Sequence, residues 1–273
     1  MVFSRKFVLF ENRTTVGVSV QRSRNAKTNN KQQTVQFLVN HPGLQINNPN
    51  QEINVVVLQN NNWNTKITNL KPNFFKPNQL IYRHTNASNF DGGNEFLNLD
   101  SKNIRNTSLN IGKVEQKEIF HNYLYVDEPR AEKLYTYNPD INGQFVVRTL
   151  EANDANTEAD YAMMHFTLNV DEPFLDKNVY VYGGFNNFEI DENTKMEYDF
   201  NDNSYKGNFL LKQGFYNYTF ATLDKNNNTN TNEINGTFFE TENQYTIIAY
   251  YKPFGSLYDR VIGIGTGYFD QNR

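Results

Sequence analysis

Apolar and polar residues alternate along most of this chain with the period of two that a half-buried β-strand requires. Val16, Val18 and Val20 alternate with small or polar residues in TVGVSVQRS. QTVQFLVN follows the polar turn RNAKTNNK, and Ile53, Val55 and Val57 alternate in INVVVLQ. The asparagines at 60–62 read as a turn that places Trp63 near a hairpin tip, and NQLIYRHT reads as a further strand. From FVVRTLEAND onward the signal recurs in YAMMHFTLNV, NVYVYGGF, MEYDF, YKGNFLLK, FYNYTFATL and QYTIIAYYK. Turn signals such as DEP, NDNS and KQG separate these segments, and no long stretch has helical apolar spacing.

This pattern predicts an all-β protein. The 273 residues are too many for one small sandwich, so the expected architecture is two Ig-like antiparallel β-sandwich domains in tandem. The expected boundaries are 1–120 and 121–273, with the Pro-punctuated stretch 120–147 as the junction. At the start, Phe3, Phe7 and Leu9 predict a strand over 3–10. The opening residues lack the long apolar run and small-residue cleavage site of a signal peptide.

Composition removes several function classes. Lys and Arg number 26 against 30 Asp and Glu, a formal charge of −4 with no basic run to follow a phosphate backbone. Nucleic acid is therefore not an expected partner. The absence of Cys excludes disulfides, thiolate zinc sites and thiol catalysis. No apolar run reaches the length of a membrane span, so no stable insertion of its own is expected.

Candidate chemistry is sparse. His41, His84, His121 and His165 are spread along the chain without an H-x-H or H-E-x-x-H pair, and His165 reads as a hydrogen-bonded structural residue. The acids lie mostly in turn segments such as DENT and DEPR, which reads as solvation and not as a catalytic carboxylate pair. DKNNNTNTNEIN begins like a calcium loop but has Thr229 and Asn235 where Gly and Glu belong. GIGTG at 263–267 has the wrong spacing for a dinucleotide fingerprint and reads as a Gly-rich terminal strand. No catalytic residue, cofactor or metal is expected. What remains is an unusual supply of aromatics, 22 Phe and 17 Tyr against one Trp, which can stack on sugars or anchor a protein partner.

Two resemblances add to this reading. VYVYGGFNNFEIDENTKMEYDF and YKGNFLLKQGFYNYTFATLD resemble the glycogen-binding modules of the early-set Ig-like superfamily. That family's pattern falls here on Gly183, Phe185, Asn186 and Phe188, then Leu211, Gly214, Tyr216, Tyr218 and Phe220. The resemblance implies an early-set-like second sandwich and marks Phe185, Phe188, Tyr216 and Tyr218 as candidate glycan-stacking residues. Phe188 stands where the family has its platform Trp, and 224–233 holds no counterpart of the second.

FVLFENRTTVGVSVQRS, NHPGLQINNPNQEINVVVLQNNNWNTKITNLKPNFF, GGNEFLNLDSKNIR, YVDEPR and NGQFVVRTLEANDANTEADYAMMHFTL resemble the type IX secretion system plug protein family. This second resemblance covers nearly the whole chain. It implies an exported, periplasmic protein associated with the outer membrane, preceded by a further β-sandwich that the strand at 3–10 would end or continue. Its implied role is non-enzymatic: closing the large outer-membrane β-barrel translocon of that system. Loops 60–64, 88–97 and 226–232 are then candidate contact surfaces, with Asn61, Trp63, Asn94 and Phe96 as candidate contact residues. A glycan-binding module of an exported bacterial protein is the alternative function.

Overall fold

The computed structural model describes residues 7–151 and 153–269. The chain is all-β, as expected, but its two units are not in tandem. Residues 94–236 form one compact unit, set as an insertion into a frame built from 7–93 and 237–269. The expected boundary at 120 is thus corrected to two crossings, at 93/94 and 236/237. Of the predicted strand over 3–10, residues 3–6 lie outside the described residues, and 7–10 are not in a strand.

Along the chain the frame begins with β1 (Thr15–Arg22), β2 (Gln32–Asn40), β3 (Ile53–Gln59), β4 (Asn62–Thr68), β5 (Phe74–Lys76), β6 (Gln79–Tyr82) and β7 (Asn89–Asp91). The insert follows with β8 (Leu97–Asp100), β9 (Ile111–Gln116), β10 (Phe120–Leu124), β11 (Phe145–Val147) and β12 (Tyr161–Asn169). It continues through β13 (Lys177–Tyr182), β14 (Lys195–Asp199), β15 (Ser204–Lys212), β16 (Gly214–Asp224) and β17 (Thr229–Asn230). The chain then returns to the frame as β18 (Asn243–Tyr251) and β19 (Arg260–Phe269).

The frame is a sandwich of two antiparallel sheets. One runs β1-β2-β6-β5, with β7 also on β2, and the other runs β19-β18-β3-β4. Alternation drives the burial: Val35, Phe37 and Val39 of β2 face Val55 and Val57 of β3 and Tyr245, Ile247 and Ala249 of β18 in one core. Full burial of each large apolar side chain contributes about 1.5–3 kcal/mol. The asparagines between β3 and β4 form the turn that the sequence predicts. Asn60 (φ 52°) and Asn61 (φ 57°) are both left-handed, the conformation that a two-residue hairpin turn favours and Asn tolerates.

One side of the frame is closed by glycine. A Cβ on Gly263, Gly265 or Gly267 would lie 2.1 Å from Thr14 Oγ1, 2.3 Å from the Val16 carbonyl oxygen or 2.6 Å from Val18 Cγ1. The bare face of β19 therefore lets β1 of the other sheet come into contact. Arg13 and Thr14 donate their backbone N–H to the Ile262 carbonyl at 2.8 and 3.0 Å. The GIGTG motif is a packing device.

A buried polar seam holds the frame where the insertion leaves and returns. The Tyr245 hydroxyl donates to Gln33 Oε1 at 2.6 Å, and Gln33 Nε2 donates to the carbonyls of Phe239 and Thr241. Asn243 Nδ2 donates to the Gly92 carbonyl at 2.8 Å, and Asn60 Nδ2 to Asn243 Oδ1 at 2.7 Å. Paired in this way, the groups avoid the cost of about 1–3 kcal/mol that each unsatisfied buried polar group carries. The two crossing segments run side by side, with the Phe238 N–H donating to the Gly93 carbonyl at 2.8 Å.

The insert is one hydrogen-bonded sheet folded over on itself, in the order β11-β16-β13-β14-β15-β12-β10-β9, with β8 and β17 also on β16. The fold lies in β14. Lys195 and Met196 pair with Tyr180 and Val179 of β13, whereas 197–199 pair with Lys206, Tyr205 and Ser204 of β15. A strand that changes partners midway makes the corner of a sandwich. Phe166 and Phe209 from one layer meet Tyr218, Phe220 and Val181 from the other in a single core. One departure from antiparallel pairing is β10 on β12, which run parallel with Tyr123 opposite His165.

Candidate interaction surface

The four candidate stacking rings are in the interior. Phe185, Phe188, Tyr216 and Tyr218 are all buried, with Tyr216 wholly inaccessible. The expectation of a sugar platform at these residues is therefore corrected, and the reason is local. After β13 the chain makes one 3₁₀ turn at Gly184–Asn186 that tucks Phe185 into the main core. Asn187 and then Phe188 adopt left-handed φ values of 56° and 57°, which swing the Phe188 ring inward. That ring lies 5.4 Å from Tyr182 and 6.3 Å from Phe96 in a small satellite cluster. The glycines make room. A Cβ on Gly183 would meet the Asn217 carbonyl at 2.7 Å, and one on Gly184 the Gly143 carbonyl at 2.7 Å.

Tyr218 is part of a buried polar network that draws in the YVDEPR motif. Its hydroxyl donates to Asp127 Oδ2 at 2.8 Å. Arg130 donates to the Glu95 carbonyl at 2.9 Å and to Asn235 Oδ1, and the Tyr135 hydroxyl donates to Glu95 Oε1. Burial pushes the Asp127 carboxyl up to about 6, against the opposing pull of the Tyr218 hydrogen bond and the Arg130 cation. These bonds tie the 127–135 segment to β16 and to the chain around Glu95 and Asn235.

The four candidate contact residues separate. Asn61 is exposed at the β3–β4 turn of the frame, where it accepts a hydrogen bond from Thr246 Oγ1, and Trp63 is half-buried beside it. Asn94 and Phe96 belong to the insert, where both are occupied internally. Asn94 Nδ2 donates to the Asn235 carbonyl at 2.7 Å, and the Phe96 N–H donates to Asp140 Oδ2 at 2.6 Å. The loop at 226–232 is short and tied down, with Asp224 Oδ1 accepting from the N–H groups of Asn226 and Asn228.

The exposed apolar surface lies elsewhere. The hairpin tip between β18 and β19 presents Phe254 at 96% exposure and Leu257 at 94%, with Tyr258 beside them. The tip is preorganised. The Ser256 N–H donates to the Pro253 carbonyl, and Ser256 Oγ donates to the Tyr258 carbonyl at 3.0 Å. The Glu11 N–H donates to the Val261 carbonyl at the same end of the frame. The strand ends carrying Asp91 and Asn243, where the insertion departs and returns, are the opposite end. Sequence reading missed this tip because KPFGSLYD resembles any turn; only the folded chain shows that none of the described residues covers it.

On the insert, the outer face of β9, β10 and β12 gathers ionisable groups that the sequence scatters. His121 Nδ1 and His165 Nε2 are 2.9 Å apart, one ring's N–H donating to the other's bare nitrogen. The parallel β10–β12 register thus brings together two histidines that lie 44 residues apart in the sequence, and His165 is hydrogen-bonded as expected. The Tyr123 ring stacks on His165 at 4.1 Å, and its hydroxyl donates to Glu115 Oε2 at 2.8 Å. Hydrogen bonds from Lys113 and then Tyr123 hold the Glu115 carboxyl down to about 2.

No helix of the described residues is long and apolar enough to cross a membrane. The fold and surface define an all-β protein of two sandwiches, one inserted in the other. The chain is similar to a hypothetical protein from Parabacteroides merdae, known from its crystal structure, at 32% identity and a TM-score of 0.88. The match covers 95% of this chain and 66% of that one, so the chain spans just under two thirds of that protein's length. No family model and no curated protein matches the chain.

Proposed function

We propose that this chain belongs to a non-enzymatic periplasmic plug that closes the large outer-membrane β-barrel translocon of the type IX secretion system. The observation that carries this reading is the preorganised apolar tip between β18 and β19, where Phe254 and Leu257 stand in solvent on a glycine-closed sandwich. Closing a channel asks for a stiff body and apolar anchors that dock into a partner, and exposed aromatic and aliphatic tips are what such interfaces bury. The motif resemblance that spans nearly the whole chain supports the same reading.

The test is affinity capture of the full-length protein from an outer-membrane extract. Recovery of a giant barrel protein is expected, and so is its loss from a Phe254→Asp/Leu257→Asp variant. Removing the gene from cells that also lack the translocon's lateral-exit partner should leave the outer membrane permeable to solutes it normally excludes. Unchanged permeability overturns the reading.

A further inference from the structure

The geometry points to a peptide-binding edge on the insert, where residues 208–210 of β15 take an extended, basic segment of a partner protein as an added strand. The opening comes from the corner in β14. Its residues 197–199 pair with Lys206, Tyr205 and Ser204, whereas Lys195 and Met196 cross to β13. β15 runs on to Lys212, paired with β12 along its whole length. Past Lys206, no strand of the described residues pairs with its other edge.

The backbone groups on that edge can be named. At the two ends of the β12–β15 ladder the Val170 N–H donates to the Asn203 carbonyl at 3.0 Å, and the Gln213 N–H to the Asp160 carbonyl at 2.7 Å. Backbone groups alternate sides along an antiparallel strand, so the odd-numbered residues of β15 bond to β12. The even-numbered ones turn their N–H and C=O the other way. Ser204 and Lys206 lie opposite Asp199 and Glu197 of β14, and the Lys212 carbonyl accepts from the Tyr216 hydroxyl at 2.6 Å. Asn208 and Leu210 thus present two donors and two acceptors in the spacing of a ladder.

A groove of about 1170 Å³ runs along this edge, lined by both residues, by β14 and by the turns at 191–193 and 199–201. The turns are fixed: Asp191 Oδ1 accepts from the Asn193 N–H and Asp199 Oδ1 from the Asn201 N–H, each at 2.9 Å. Charge selects the occupant. Among the lining carboxylates, Glu192 pairs with Lys195 and Asp199 with Lys206, which leaves Asp191 and Glu197 for a cation that the ligand brings. Phe200, 77% exposed and edge-on to Tyr198 at 5.0 Å, adds an apolar face for the stem of a Lys or Arg. Main-chain bonds to β15 supply affinity, and the carboxylates and Phe200 supply preference. An acidic segment meets repulsion here, and a proline-rich one lacks the donors. The edge lies within the insert and is independent of the apolar tip of the frame.

Panning a phage-displayed library of random linear decapeptides against the full chain tests this site. Enriched sequences should be poor in Pro and Asp, with Lys or Arg alternating with β-branched residues. Synthetic versions should slow hydrogen exchange at the Asn208 and Leu210 amides about tenfold. Asn208→Pro removes one outward N–H and leaves the bonds to β12 intact, so it should weaken binding about tenfold. Glu197→Lys should weaken it to a similar degree by reversing the charge, and it decides alone if melting curves show that the proline variant is unfolded. A library that enriches no basic extended sequence overturns the proposal. So do enriched peptides that leave both amides exchanging as in the unliganded chain, or that bind Glu197→Lys as tightly as the native protein.

Discussion

Phe188 occupies a backbone region that bulky side chains avoid. Its φ of 57° costs about 1–2 kcal/mol relative to an ordinary conformation, and the buried ring offsets that cost. Removing the ring while keeping the strain is the worst combination. Phe188→Ala should therefore destabilise the insert by about 3–5 kcal/mol in urea unfolding. Phe188→Gly, which tolerates the left-handed backbone, should lose about 1 kcal/mol less than Phe188→Ala, against the usual rank of these residues. Asp127 carries a pH signature of definite sign. Its folded pKa of about 6 lies above the usual 3.8, so the protonated form is the one that folding favours. Its contribution is complete below about pH 4 and is lost as pH rises through 6. Urea midpoints of the native chain should therefore fall across that window relative to Asp127→Asn, whose side chain has no charge to gain. Identical pH profiles for the two proteins would disprove the assignment. Neither residue's role was legible in the sequence. Phe188 looked like a sugar platform because residue type does not say which way a ring turns, and only the left-handed turn at 187–188 decides it.

At the scale of elements, much was legible. The alternation in TVGVSVQRS and QTVQFLVN marks β1 and β2, and YAMMHFTLNV marks β12 to within a residue. Strand signals depend on nearby residues, so one chain suffices to read them. Pairing is different. β18 joins β3 across the whole insert, with Ile247 opposite Val57, and nothing local in either strand encodes that choice. The histidine pair escaped notice for the same reason, because 44 residues separate two side chains that one parallel register unites. Strand β19 shows a partly legible case: three alternate glycines are visible in the sequence, but the strand they admit is not. A Gly265→Ala change would put a methyl 2.3 Å from the Val16 carbonyl oxygen. The frame should lose about 1–3 kcal/mol as β1 is pushed from β19, measured as a lower denaturation midpoint and faster hydrogen exchange at Thr14.

At the scale of the molecule, the discontinuous frame makes a prediction that a tandem arrangement would not. Ending the chain at 236 removes β18 and β19, leaving β3 without one of its partners and Val55 and Val57 without their covering residues. Such a truncation should leave the frame unfolded and prone to aggregate, while the insert keeps its cooperative melting transition. Excising 94–236 and joining the crossings by a short Gly/Ser linker should preserve the frame, because the Gly93 N–H already donates to Thr237 Oγ1 at 3.0 Å. Circular dichroism and thermal melts of the two products separate these outcomes. A truncated chain with a folded frame would show that residues 7–93 are self-sufficient.

The same doorway imposes an order on synthesis. A ribosome releases the insert complete before it has made the strand that seals the frame, so the part begun first is the part finished last. For that whole interval the frame is an open book held at its spine, its apolar pages exposed to whatever shares the compartment. A holdase that shelters residues 15–91 until β18 arrives would cover the face that β18 later takes on β3.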